Sequence, residues 1–77
     1  MSIKNKIKFA LYENNKSNSS IAEALNITNQ AVSNKFNRDS FSAADLVKIA
    51  NILGYELAFV KNNQKIVFDM NDIKVGE

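Results

Sequence analysis

Between Ser17 and Asn37 the apolar residues fall into two short clusters, Ile21-Ala22 with Leu25 and then Ala31-Val32 with Phe36, parted by Asn26-Ile27-Thr28. Spacings of three to five residues place each cluster on one side of a helix. Asparagine tolerates the left-handed backbone that stops a helix and turns the chain sharply. Ile27 is an apolar plug in that turn, and Thr28 can cap the helix that follows. This stretch therefore reads as two short helices across a tight turn, with small Ala22 where they approach closely. The second helix, running to about Asn37, exposes Asn29, Gln30, Ser33, Asn34, Lys35 and Asn37, a surface unusually rich in amides.

The flanks follow the same logic. Ile3, Ile7, Ala10 and Leu11 make one face of a first helix with Ser2 as its cap, Lys4 and Lys8 on its outer face, and Asn14-Asn15 at its end. Ser17 can cap the second helix. Ser42 and Asp45 form a capping-box spacing at the start of a fourth, whose core stripe is Leu46, Ile49, Ala50 and Leu53 and whose stop is Gly54. Beyond Gly54 the period switches to two. Tyr55, Leu57 and Phe59 alternate along one strand and Ile66, Phe68 and Met70 along another, around an Asn62-Asn63 tip. From Asn71 onward the sequence reads as a loosely ordered tail. The fold class is mainly α: four helices over residues 1–54, then a β-hairpin and tail over 55–77.

A chain of 77 residues buries only about 60% of its unfolded surface, so its core needs reinforcement. Cysteine and histidine are both absent, which excludes disulfides, thiolate ligands and the usual transition-metal sites; no metal or cofactor is expected. Self-association remains, and a homodimer is the expectation. No apolar run approaches the roughly 20 residues that span a bilayer, and the basic N-terminus leads into no apolar signal core. A soluble cytoplasmic protein is expected. Charge is divided unevenly. Residues 1–38 carry Lys4, Lys6, Lys8, Lys16, Lys35 and Arg38 against Glu13 and Glu23, whereas residues 39–77 carry four lysines against six carboxylates. The first half is suited to an anionic partner, the second to another task.

The string from Ser17 to Asn37, SNSSIAEALNITNQAVSNKFN, resembles the helix-turn-helix of the Cro/repressor family, also called XRE-like or lambda-repressor-like. Ile21-Ala22, Leu25, Ile27, Val32 and Phe36 occupy its core slots, and the likeness extends over about residues 3–54. Asn26 stands where the family usually has glycine, and Asn37-Arg38 where many members have Asn-Gly. The resemblance implies a transcriptional regulator that binds double-stranded DNA, and a phosphate contact at Asn37.

The residues support this independently. A helix fits the major groove, where amides match base edges bidentately, as asparagine or glutamine does with adenine. The first residues of the second helix of such a motif reach the bases. Asn29 and Gln30, with Ser33 and Asn34 one turn later, are the expected base readers. Lys16, Asn18, Ser19, Thr28, Lys35, Asn37 and Arg38 are the expected phosphate contacts. Tyr55, Leu57, Phe59, Ile66 and Phe68 are assigned to packing and a dimer interface, because an isolated hairpin is marginal and its open edge is a template for pairing. Two copies would then present two reading helices to a palindromic operator. The alternative is an antitoxin that binds DNA and grips a toxin protein through the hairpin; a third reading is a protein-interaction module that has lost DNA binding. No nucleophile–base pair, phosphate loop or catalytic carboxylate pair is present, so no enzyme is expected.

Overall fold

The computed structural model describes residues 2–73. Helices α1 (Ile3–Glu13), α2 (Asn18–Leu25), α3 (Asn29–Arg38) and α4 (Ala43–Leu53) precede strands β1 (Leu57–Lys61) and β2 (Gln64–Phe68), and a 3-10 turn (Met70–Asp72) follows. The mainly helical architecture is the one the periodicity implied.

Each helix ends the same way. Asn15, Asn26, Asp39 and Gly54 take positive φ values of 54°, 56°, 52° and 80°. Just beyond them, the N–H groups of Lys16, Ile27, Ser40 and Tyr55 donate five residues back to Leu11, Ala22, Lys35 and Ala50. This bond gives a second donor to a last-turn carbonyl that already accepts from the cap N–H, and the left-handed residue makes it possible. Asn26 thus fixes the α2–α3 turn as its type suggests. Asp39 does more: its carboxylate accepts from the Lys4 N–H at 2.8 Å, tying the end of α3 to the start of α1, where an anion is favoured. At the N-termini, the hydroxyls of Ser2, Thr28 and Ser42 accept from Asn5, Ala31 and Asp45, respectively. Ser17 occupies the cap position of α2, but its side chain makes no capping hydrogen bond.

One apolar cluster joins the four helices: Ile7 and Leu11 of α1, Ile21, Ala22 and Leu25 of α2, Val32 and Phe36 of α3, and Ile49 and Leu53 of α4. Ile21 and Val32 are completely buried. Phe41 closes the edge, its ring 5.2 Å from that of Phe36 in an edge-to-face contact, and Lys8 places its ammonium 5.5 Å from the Phe36 ring centre. The stripe of α4 differs from expectation. Val47 is buried, while Leu46 and Ala50 are only half-buried. The reason is that a crevice beside Val47 is lined by Val67, Phe68 and Met70, so α4 is covered on a second side as the chain returns from the hairpin.

The hairpin pairs Leu57 with Phe68, Phe59 with Ile66 and Lys61 with Gln64 around Asn62-Asn63. Strand periodicity had also taken in Tyr55 and Met70. Tyr55 instead lies in the link after α4, where its hydroxyl accepts from the Asn14 amide at 3.0 Å. Met70 opens the 3-10 turn, whose Asp69 and Asp72 form a reciprocal cap. Asn71 and Asp72 are therefore part of an ordered turn, not of a loose tail; residues 74–77 lie outside the described residues.

Candidate nucleic-acid interface

Helix α3 shows two sides. Val32 and Phe36 face the core, whereas Gln30, Asn34 and Asn37, spaced at i, i+4 and i+7, form an exposed row of amides. Asn29 is exposed in the first turn and Ser33 is half-buried at the border of the row. Within the row the Gln30 Nε2 donates to Asn34 Oδ1 at 3.3 Å. The first turn contains no acidic residue, so the positive end of the helix dipole is left uncompensated. Thr28 spends one hydroxyl lone pair on the Ala31 N–H at 3.1 Å and keeps its O–H for another acceptor.

The cations are placed unequally. Lys35 is half-buried and its Nζ lies 2.9 Å from Asp45 Oδ2, bracing α3 against α4. The same carboxylate accepts from the Ser42 N–H at 3.0 Å. Partial burial pushes the Asp45 carboxyl up, but the hydrogen bonds and charge of Lys35 and the bonds to Ser42 outweigh it, leaving its pKa below the ordinary carboxylate value. Lys35, expected to contact phosphate, thus has its ammonium engaged within the domain. Arg38 stands exposed in the last turn of α3, beside Asn37. Asn18 and Ser19 are exposed in the first turn of α2. Lys16 precedes them and borders a cleft of about 190 Å³ shared with Ser20, Glu23 and Ile52.

Sequence reasoning did not find Asp45 as the partner of Lys35, nor Asp39 as the clamp on α1. The capping-box spacing signalled only the local role of Asp45; nothing in the sequence signalled Asp39.

The hairpin residues divide as well. Leu57 and Phe68 are half-buried, while Tyr55, Phe59 and Ile66 are exposed by 49%, 68% and 51%. Phe59 and Phe68 meet edge to face at 5.0 Å. Next to Leu57, an apolar hollow of about 360 Å³ opens between α1 and α4, floored by Ile7, Ala10, Ile49 and Leu53.

The family model of the bacteriophage CI repressor helix-turn-helix domain matches residues 5–65. The chain belongs to this family. The match begins in α1 and ends in β2, so the CI-type domain here includes all four helices and most of the hairpin. Membership makes the chain a DNA-binding domain of repressor type, in agreement with the Cro/repressor resemblance of Ser17–Asn37. No curated protein and no solved structure matches it. Among the described residues no helix is long and apolar enough to cross a membrane.

Proposed function

We propose that this CI-type domain is a sequence-specific repressor that reads a palindromic operator in the major groove of double-stranded DNA as a homodimer, within the cytoplasm. The observation that carries this reading is the amide row of α3, which faces solvent while the opposite side of the same helix fills the core. Asn29, Gln30, Ser33 and Asn34 are the base readers, since the first turns of the second helix enter the groove. Lys16, Asn18, Ser19, Thr28, Asn37 and Arg38 hold the phosphates; Lys35 supports them by fixing α3 through Asp45. Base contacts specify and phosphate contacts position, so these two sets have different effects when altered.

Residues 1–54 are the DNA-reading unit and 55–77 the dimerisation element. The exposed apolar side chains of Tyr55, Phe59 and Ile66 suit an interaction site. A two-fold interface uses one patch twice, so the patch must contain both a ridge and a hollow. Phe59 and Ile66 provide the first, and the space between α1 and α4 the second. Two copies would set their α3 helices about 34 Å apart, one turn of DNA.

Selection from random duplex DNA tests the reading. An inverted repeat with half-sites one turn apart is expected, whereas absence of any enriched sequence contradicts it. In sedimentation at micromolar concentration without DNA, the wild type should behave as a dimer and Phe59→Lys as a folded monomer that binds the operator at least about tenfold more weakly. Tenfold is the smallest loss that burial of one aromatic side chain implies. A monomeric wild type would rule out the hairpin as a dimer contact while leaving the DNA-reading helix in place.

A further inference from the structure

Asn37 and Arg38 stand between two anchored residues. Lys35, before them, is braced against α4 through Asp45 at 2.9 Å. Asp39, after them, is tied to α1, its Oδ1 accepting from the Lys4 N–H at 2.8 Å. We infer that Asp39 is a positioning residue for DNA binding: by holding the exit of α3 on the first turn of α1, it fixes Asn37 and Arg38 where they reach phosphate. This inference rests on the phosphate contacts proposed above.

The turn at Asp39 does not itself need a carboxylate. Its backbone is left-handed, with φ 52° and ψ 42°, and glycine adopts that conformation without the steric cost that an L side chain carries. What aspartate adds is an acceptor that reaches another helix. The Lys4 N–H is a first-turn donor with no acceptor inside α1, and the Ser2 hydroxyl is already given to the N–H of Asn5. Asp39 therefore caps α1 from 35 positions away in the chain, at the helix end where negative charge is favoured. The support is firm, since Ile7 and Leu11 bury α1 in the core and Lys8 sets its ammonium 5.5 Å from the Phe36 ring centre.

The same bond commits the carboxylate to α1. Arg38 joins no ion pair among the described residues, although Asp39 is its neighbour in the chain. Its guanidinium stays available to a phosphate.

Without the tie, the exit of α3 would become ordered only as DNA binds. Fixing the backbone of one residue is worth about 5- to 30-fold in an equilibrium constant. That factor would be lost on every duplex alike, because phosphates carry no sequence. The number of phosphates met would not change, so the salt dependence would stay the same. A residue that itself meets phosphate alters the slope as well.

Binding of Asp39→Asn and Asp39→Gly to the selected operator and to random duplex, at several salt concentrations, tests this. Both variants lack the charge and both suit a left-handed residue; only asparagine keeps an acceptor for the Lys4 N–H. Asp39→Asn should bind both duplexes at least as tightly as wild type. Asp39→Gly should bind both about 5- to 30-fold more weakly than Asp39→Asn, with the same salt slope. In a background of Asn37→Ala and Arg38→Ala the difference between the two should largely vanish, because nothing is left to position. Asp39→Ala also lacks the acceptor but is strained at positive φ, so it should share the affinity loss of Asp39→Gly while melting at a lower temperature. Circular dichroism checks that each variant is folded. Equal affinities of Asp39→Asn and Asp39→Gly overturn the inference, as does a difference that persists in full without Asn37 and Arg38. An unchanged salt slope on removing Asn37 and Arg38 instead overturns the phosphate contacts themselves.

Discussion

Replacing Ile21 by alanine will remove about 2–5 kcal/mol of folding stability. Ile21 is completely buried in the cluster that joins all four helices, so the lost methyl and methylene groups leave a void that no single helix can close. Domains below about 70–80 residues rarely draw more than 3–5 kcal/mol from one core, and this chain has no disulfide in reserve. The expected loss is therefore most of the total. Urea unfolding at fixed protein concentration measures it; the concentration must be held because the proposed dimerisation would add to apparent stability. The midpoint should fall steeply, or the variant should be unfolded in buffer. A loss below about 1 kcal/mol would mean that α2 is not the centre of the core.

The second large effect concerns recognition. Gln30→Ala should cost about 1–3 kcal/mol on the selected operator and almost nothing on random duplex, because the change removes the proposed base contact and no proposed phosphate contact. Arg38→Ala should show the other pattern, weakening both and flattening the salt dependence by roughly one unit. Titrations at several salt concentrations separate the two. Parallel losses on both duplexes from Gln30→Ala would assign Gln30 to the backbone and leave the base-reading role without its principal residue.

Much of this was legible from residue order, and the exceptions have physical causes. Helix α3 could be drawn from Thr28, Val32 and Phe36 because a cap and a 3.6-residue stripe are local signals, and its exposed amides followed by subtraction. The hairpin was legible from its two-residue period and its asparagine tip. Its limits were not: Tyr55 and Met70 continue the alternation but hydrogen bonding of the backbone ends at Leu57 and Phe68. Asn26 and Gly54 announced their turns by type. Asp39 adopts the same conformation, yet aspartate is common in loops, and its bond to Lys4 spans 35 positions in the chain. The tie between Lys35 and Asp45 was hidden for a similar reason. Ten positions apart and on different helices, they meet only because the α3–α4 connection brings them together. Val47 falls outside the single apolar stripe that the α4 periodicity defines, because the chain after β2 covers a second side of the helix.

Groove reading by α3 requires Asn29, Gln30 and Asn34 to meet duplex DNA, and the side-chain amide resonances of these residues observe that contact directly. In a titration of nitrogen-15-labelled protein with a duplex carrying the selected site, those resonances and the backbone of residues 28–34 should shift most, with the tip of the hairpin at Asn62-Asn63 unchanged. Shifts concentrated on the hairpin, with the α3 amides unmoved at saturation, would contradict it.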